Sequence, residues 1–356
     1  MLTPLIPIAV VLELADASHV LIFATSAIGV IPPAALMGRA TEELAARSGP
    51  GIGGLLNVTF GNFPELIIAF FALLEGLQEV VKASIIGSII GNILLVLGAA
   101  MFVGGLGRRE QRFEARAVGA QSAMLLLAVT ALVMPAVFQL VDGGSLPRPG
   151  AEDARFNSTL EHLSLAVAVV LICSYAAGLV FSLRTHRDVF NPDQELHGGG
   201  WSTRRSVIAL AIAGVAVGVM SEILVGSIAE AAKSIGLSEF FIGAIVVAIV
   251  GNVAEHWVAV LVARKNQMNL AVNIAIGSSA QIALFVAPLL VLLSFVFGDH
   301  PMALVFNGFE LAAVILAVLI ANRVTIEGRS NWFEGVQLLS VYVVVAIAFG
   351  YAQQAG

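Results

Sequence analysis

Long apolar runs alternate with short polar breaks along the whole chain, and this pattern limits the fold more than any other feature. A helix that crosses a bilayer needs about 20 predominantly apolar residues. Eleven runs approach or exceed that length: 2–15, 17–38, 51–75, 79–106, 117–140, 159–183, 206–232, 238–263, 268–297, 301–321 and 333–351. They predict an all-α polytopic membrane protein of about 11 transmembrane helices, with lipid as its surroundings.

Composition excludes several other classes of protein. Hydrophobic residues make up 58% of the chain and charged residues 12%, against about 25% charged in a typical soluble domain. The 18 basic and 24 acidic residues form no basic patch, so no nucleic-acid partner is expected. Cys173 is the only cysteine, which excludes a disulfide framework within one chain. We expect no resident cofactor, and composition leaves a homo-oligomer open.

The distribution of Lys and Arg predicts the orientation, because cytoplasmic loops are enriched in both. With eleven spans, fourteen of the 18 basic residues fall on one side of the membrane. The other side holds only four, which are Lys82, Arg148, Arg155 and Lys233. The N-terminus is therefore predicted to be cytoplasmic and the C-terminus outside, and we expect the cell (inner) membrane as the location.

An internal repeat relates the two halves of the chain. The sequence Gly-Asn-Phe-Pro-Glu at 61–65 corresponds to Gly-Asn-Val-Ala-Glu at 251–255, with an offset of 190 residues. The same offset relates Ile52-Gly53 to Ile242-Gly243 and Gly87-Ser88 to Gly277-Ser278. We therefore divide the chain into an N-terminal extra helix (1–16), a first five-helix repeat (17–184), a central cytoplasmic loop (185–205) and a second five-helix repeat (206–356). An odd number of helices per repeat inverts one copy relative to the other, as in many secondary transporters.

Glu65 and Glu255 then face each other near the middle of the membrane. A carboxylate in hydrocarbon needs a partner or a water-filled path, and no Lys or Arg lies within the apolar helices that carry these two residues. The balancing charge is therefore a proton or a bound cation, and two hard oxygen ligands favour Ca²⁺. The alternative is a protonated structural glutamate that bonds a neighbouring helix.

Asparagine and helix opening extend the candidate site. Asn62 lies three residues before Glu65, and Asn252 three before Glu255, so each pair shares a helix face. Pro64 has no N–H and crowds the carbonyl four residues earlier, which predicts an opening around Phe60 and Gly61 that frees main-chain oxygens. The second repeat has Ala254 in place of proline, so its opening would depend on Gly251 alone.

Further polar residues stand in the next helices and on the first helix of each repeat. They are candidate ligands at Ser88, Asn92, Ser278 and Gln281, and a candidate proton path or gate at His256, Glu42, Glu43, Glu222 and Glu230. For Asn62, Asn252 and His256 the alternative is hydrogen bonding between helices, which small polar residues often provide in membranes. Gly87 and Gly91 have the spacing of a helix-packing motif, so the alternative for them, and for Ser88 and Ser278, is helix packing. For the four glutamates it is a solvated carboxylate at the membrane surface.

These motifs together resemble the Ca²⁺/H⁺ antiporter family of the cation/Ca²⁺ exchanger superfamily. The similar segments are 61–68, 87–98, 251–256 and 277–285. The resemblance implies that Glu65 and Glu255 bind Ca²⁺ and protons in turn, helped by Asn62, Asn252 and main-chain oxygens near Gly61 and Gly251. Sodium-coupled relatives often carry further acidic residues, and here the position of such a residue falls within 279–282, where Gln281 is the polar candidate. The lack of a third buried carboxylate therefore favours protons.

The resulting hypothesis is a secondary active antiporter that exchanges Ca²⁺ for H⁺ by alternating access. A Na⁺/Ca²⁺ exchanger is the nearest alternative, and a cation channel is a further one. An intramembrane enzyme is disfavoured, because Glu255-His256 lacks the second histidine of a zinc-binding helix.

Overall fold

Eleven helices make up most of the described part of the chain, and residues 53, 56 and 59–61 before α3 are also helical. The structure is a computed structural model, and it describes residues 2–48, 53, 56, 59–150, 156–185, 200–298 and 300–352. The helices are α1 (Leu5–Leu14), α2 (His19–Arg47), α3 (Phe63–Leu74), α4 (Gln78–Gly105), α5 (Ala115–Val141), α6 (Ser158–Thr185), α7 (Thr203–Ile235), α8 (Glu239–Arg264), α9 (Met268–Phe297), α10 (Gly308–Thr325) and α11 (Trp332–Ala352). Nine of these are long and apolar enough to cross a membrane, while α1 and α3 are shorter. The predicted fold class is confirmed, and residues 186–199 of the predicted central loop lie outside the described residues.

Side-chain caps begin several helices where the polar breaks predicted a boundary. The side chains of Asn157, Ser202 and Ser238 accept hydrogen bonds from the first turns of α6, α7 and α8. Such caps satisfy amide groups that have no partner within the helix. Gly236 ends α7 with a φ of +72°, a left-handed conformation that glycine adopts at little cost.

The central helices α3, α4, α8 and α9 pack together, and α2 packs along α7 beside them. Backbones approach closely where side chains are small. At Gly87 a Cβ atom would collide with the backbone of Ala244, so α4 and α8 are in direct backbone contact there. The packing alternative for Gly87 is thus supported by the structure, whereas a Cβ at Gly91 would meet no heavy atom within 4 Å.

Two helices contain wider turns at equivalent positions. Residues Gly91–Val96 of α4 and Ile282–Val286 of α9 are π-helical. The 190-residue offset between the repeats relates these two segments to within one residue. A third π-helical segment, Ile242–Val247, precedes the repeated motif in α8. Single π-helical turns within α-helices frequently mark functional sites.

The apolar run predicted to begin a helix at residue 301 instead begins as a buried non-helical segment, residues 301–307. Met302, Leu304 and Val305 are fully buried, and α10 begins only at Gly308, where Asn307 and Glu310 form a capping box. The Leu304 amide donates to Ser164 Oγ at 2.9 Å, and Lys82 Nζ donates to the Val305 carbonyl at 3.0 Å. Non-helical backbone at membrane depth is tolerated when the protein satisfies it in this way.

Lys82 was expected among the loop residues of the outer side, and the structure places it inside α4 as a buried residue. Its ammonium group lies 5.5 Å from the Phe156 ring centroid, and its charge interacts with Glu310 and Glu79. This lysine therefore binds the non-helical segment and is not the missing partner of Glu65 or Glu255.

A short antiparallel strand pair joins loops from the two halves of the chain. Strand β1 (Gln111–Arg112), after α4, pairs with β2 (Arg329–Ser330), before α11. Gln111 Nε2 also donates to the Ala263 carbonyl and to Asn266 Oδ1, both at 3.0 Å. Glu110 forms ion pairs with Arg112 at 2.8 Å and Arg329 at 3.9 Å, which lower the pKa of this exposed carboxyl.

Candidate functional site

The repeated glycines and glutamates contact each other reciprocally across α3 and α8. A Cβ atom at Gly61 would lie 3.3 Å from Glu255 Oε1, and one at Gly251 would lie 3.1 Å from Glu65 Cγ. The glycine that begins each motif thus lies next to the glutamate that ends the other motif. This is the arrangement of two helices that cross in opposite directions. The predicted meeting of Glu65 and Glu255 is present, and their charges interact.

The helix opens in the first repeat, close to where proline predicted it. Residues 59–61 are helical, Asn62 is a turn with φ −95° and ψ 23°, and α3 begins at Phe63 with Pro64 in its first turn. A proline in the first turn loses no helical hydrogen bond. The chain therefore begins a new helix at the site, and Glu65 lies in the first turn of α3.

The second repeat does not open at Gly251, and the expectation for this half was wrong. The α-helix runs without a break from Ala248 to Arg264, because Ala254 keeps the N–H that proline lacks. The main-chain oxygen of Gly251 is therefore engaged in the helix and is not freed for a cation. The wider turn in α8 ends at Val247, about one helical turn before this glycine.

Glu65 is the least satisfied polar residue of the site. It is 9% exposed, and neither of its carboxylate oxygens has a hydrogen-bond partner among the described residues. Glu255 is partly buried, and its Oε2 accepts a hydrogen bond from Ser278 Oγ at 2.7 Å. The two glutamates are therefore equivalent in the sequence but not in their contacts.

Two asparagines add further buried oxygens. Asn62 Nδ2 donates to Gln281 Oε1 at 2.6 Å, and Asn252 Nδ2 donates to Ser88 Oγ at 3.0 Å and to the Ala248 carbonyl at 2.9 Å. The Oδ1 atoms of both asparagines are buried and lack a partner within the described part of the chain. Together with Glu65 they supply four buried acceptor oxygens without a donor, and unpaired oxygens of this kind suit a hard cation.

The predicted ligands of α4 and α9 all lie at this site or next to it. Ser88, Asn92 and Ser278 are buried, and Gln281 is partly buried. His256 Nε2 and Asn92 Oδ1 are 3.1 Å apart, so the predicted proton-path histidine bonds across a helix interface as its alternative proposed. No group of three His, Cys, Asp or Glu side chains converges in the described residues, and a cation here would rely on amide and hydroxyl oxygens as well as two carboxylates.

The four glutamates of the first helices differ in their surroundings. Glu43 of α2 is 7% exposed and its Oε2 has no partner in the part of the chain that is described. Glu42 is exposed, yet its charge interacts with that of Glu255, which places it toward the site. Glu222 and Glu230 of α7 are exposed, and Glu230 pairs with Lys233 at 3.2 Å, as expected for a solvated carboxylate.

A small cavity beside Gln281 was not anticipated from the sequence. It has a volume of about 100 Å³ and lies between α5, α6 and α9. Gln121 of α5 lines it, and a Cβ at Gly277 would lie 3.8 Å from Gln121 Nε2. The one available signal was a glutamine within the apolar run 117–140, and that signal does not distinguish a cavity from a helix contact.

Two inverted halves with paired carboxylates at their crossing define a membrane transporter that exchanges ions. Comparison with known proteins agrees with this class. The chain belongs to the sodium/calcium exchanger protein family, which matches residues 18–184 and 205–351.

Individual relatives are similar over nearly the whole length. The chain is 43% identical over 360 residues to a Ca²⁺/H⁺ antiporter of Aphanothece halophytica, covering 97% of this chain and 94% of the relative. It is 43% identical over 350 residues to the Ca²⁺/H⁺ antiporter ChaA of Bacillus subtilis, covering 97% and 96%. The solved structure of native YfkE superimposes with a TM-score of 0.83 at 40% identity, covering 98% of this chain and 99% of that one. These relatives are transporters and not enzymes.

Proposed function

We propose that this protein exchanges Ca²⁺ for H⁺ across a membrane by alternating access, and that Glu65 and Glu255 bind Ca²⁺ or protons in turn. The observation that carries the proposal is the set of four buried acceptor oxygens, on Glu65, Asn62 and Asn252, that lack a donor among the described residues. Unpaired buried oxygens are costly unless a cation or a proton occupies them. The names of the relatives at 43% identity support the same pair of ions.

The sharing of one site by two cargoes follows from its charge. Ca²⁺ balances two carboxylates, and so do two protons, so either cargo removes the cost of a bare charge in a low-dielectric interior. Ser88, Asn92, Ser278 and Gln281 would complete the coordination or hold water next to it. Backbone oxygen at Gly61 is a further ligand in this proposal, because the helix is interrupted at the next residue.

The movement that exposes the site is assigned to α2 and α7, the first helices of the two repeats. They pack along each other next to the carboxylates, and Glu42 and Glu43 of α2 would serve the entrance. The proposal includes the repeat boundaries 17–184 and 206–356, a cytoplasmic N-terminus and the cell membrane. The uneven distribution of Lys and Arg supports this orientation.

Glutamine substitutions test the proposal, because glutamine keeps the size of the side chain but neither ionises nor releases a proton. Purified protein is reconstituted into liposomes that contain a pH-sensitive dye, and proton movement is recorded after Ca²⁺ is added. Glu65→Gln and Glu255→Gln are each expected to abolish the Ca²⁺-dependent signal. Glu13→Gln, at an exposed position of α1, is the matched control and should retain it. Full exchange by either site variant would overturn the proposal.

The same liposomes separate the alternatives. Ca²⁺ uptake driven by a Na⁺ gradient, with the proton gradient collapsed by an uncoupler, would identify a Na⁺/Ca²⁺ exchanger. Ca²⁺ flux that continues without any counter-gradient would identify a channel. We expect neither, because Gln281 stands where a third carboxylate would strengthen Na⁺ binding.

A further inference from the structure

A groove lies at the start of α7, between that helix and α2. Its volume is about 440 Å³. The walls are Leu36, Trp201, Ser202, Arg204, Arg205, Ile208, Ala209 and Ile212. The groove thus spans α2 and α7, with a basic end near Trp201 and an apolar end along α7.

Trp201 holds two arginines in place at the basic end. The guanidinium carbon of Arg39 lies 5.0 Å from the ring centroid, and that of Arg205 lies 4.5 Å from it. Cation–π contacts of this kind use the face of a guanidinium group. A stacked guanidinium keeps its N–H edges for oxygen acceptors, and the fork of these donors matches the geometry of a phosphate.

No carboxylate is among the described residues that line the basic end. Arg39, Arg204 and Arg205 are exposed, and none of them forms an ion pair within 4.0 Å in the described residues. Glu42 interacts with Arg39 only at longer range. The amide groups at the start of α7, capped by Ser202, add a further positive potential. These positive groups favour an anion at this end.

The apolar end continues along the surface of α7. Ile208, Ile212, Val215 and Val219 are exposed, and their spacing of 4, 3 and 4 residues places them on one face of the helix. In a membrane protein such a face meets the acyl chains of lipids. The charge of one end and the apolar stripe of the other thus belong to a single continuous surface.

We propose that this groove binds an anionic phospholipid, with its phosphate at Arg39, Arg204 and Arg205 and an acyl chain along α7. The apolar stripe selects a lipid over free phosphate, because free phosphate would use only the basic end. The bound lipid contacts α2 through Leu36 and Arg39 and α7 through the remaining residues, so it bridges these two helices. Binding does not depend on which ions the protein transports.

Tryptophan fluorescence tests the proposal at the groove itself. The chain has three tryptophans, and the double variant Trp257→Phe with Trp332→Phe leaves Trp201 as the only one. This protein is placed in phosphatidylcholine nanodiscs with increasing fractions of phosphatidylglycerol brominated on its acyl chains. Quenching of Trp201 should saturate at a lower fraction of this lipid than of brominated phosphatidylcholine.

Charge removal then separates a lipid site from general contact with lipid. Each arginine near an anionic lipid contributes about 1 kcal/mol, or about fivefold in affinity. Adding Arg204→Gln and Arg205→Gln should therefore raise the fraction of brominated phosphatidylglycerol needed for saturation by about 25-fold. Arg116→Gln, which changes an exposed arginine of α5, should leave this fraction unchanged. Unchanged quenching by brominated phosphatidylcholine checks that the groove stays folded. Equal quenching by the two lipids, or full competition by inorganic phosphate, would overturn the proposal.

Discussion

Replacing Gly251 with alanine should weaken Ca²⁺ binding, because the new methyl group would press against Glu65. A Cβ at this position would lie 3.1 Å from Glu65 Cγ and 3.7 Å from Ile68 Cδ1. Carbon atoms in favourable contact lie roughly 3.5–4.0 Å apart, so Glu65 or α3 must move by about 0.5 Å. Oxygen ligands bind Ca²⁺ at about 2.3–2.6 Å, and this displacement exceeds the width of that range.

The cost of such overpacking is typically about 1–3 kcal/mol. A value near 1.4 kcal/mol corresponds to a tenfold change in affinity, so the KM for Ca²⁺ should rise about tenfold. Folding should survive, because alanine is favoured over glycine inside a helix by about 1 kcal/mol. Initial rates of Ca²⁺ uptake into proteoliposomes, measured over a range of Ca²⁺ concentrations at a fixed proton gradient, give the KM.

Gly91→Ala is the matched control, because the same substitution there meets no heavy atom within 4 Å. Its KM should equal that of the unsubstituted protein. An unchanged KM for Gly251→Ala would refute the argument that close contact at this glycine positions Glu65. An equal rise in both variants would show that any added methyl group in these helices impairs transport.

Two further predictions concern the second repeat and the strand pair. Gln281→Glu places a third carboxylate beside Asn62, so Na⁺ should inhibit Ca²⁺ uptake by this variant at lower concentrations. The control is Gln337→Glu, at an exposed position of α11, and equal Na⁺ sensitivity of the two variants would contradict the prediction. Arginines near Glu110 and Glu327 lower the pKa of both exposed carboxyls below 4.5, so their small stabilising effect is present above that pH and is lost as pH falls through the lowered values. Arg329→Gln should therefore reduce the fall in Tm that accompanies acidification. Tm is measured in detergent between pH 6 and 3, roughly the range in which carboxyls titrate. An unaltered pH dependence of Tm would count against the role of this arginine.

Much of the architecture could be predicted because bilayer thickness imposes it on the sequence. Apolar length determined the eleven helices, and the exact offset between the two motifs predicted that Glu65 and Glu255 meet. Pro64 predicted the interruption at Asn62 to within two residues, since the missing N–H of proline is a local property. These predictions needed no knowledge of which helices are neighbours.

Other features depend on contacts that a single sequence does not reveal. The non-helical segment before α10 is as apolar as a helix, and its backbone is paired with side chains from distant residues such as Ser164 and Lys82. Lys82 was counted among the basic residues of the outer side from its position in the sequence, although it is buried in α4. Gly251 resembles Gly61 in the motif, yet the helix continues through it because no proline follows.

The contacts of the two glutamates indicate how a symmetric sequence forms an asymmetric site. Ser278 donates to Glu255, whereas Ser88, its counterpart by the 190-residue offset, accepts a hydrogen bond from Asn252. Glu65 is consequently left without a donor from the described residues, although both motifs contain the same Gly-Asn and Glu positions. In the proposed function, a cation or a proton is the partner of Glu65, while Glu255 also accepts a hydrogen bond from a hydroxyl group. In the proposed mechanism, the energetic cost of burying Glu65 therefore depends on the cargo more than the cost of burying Glu255 does.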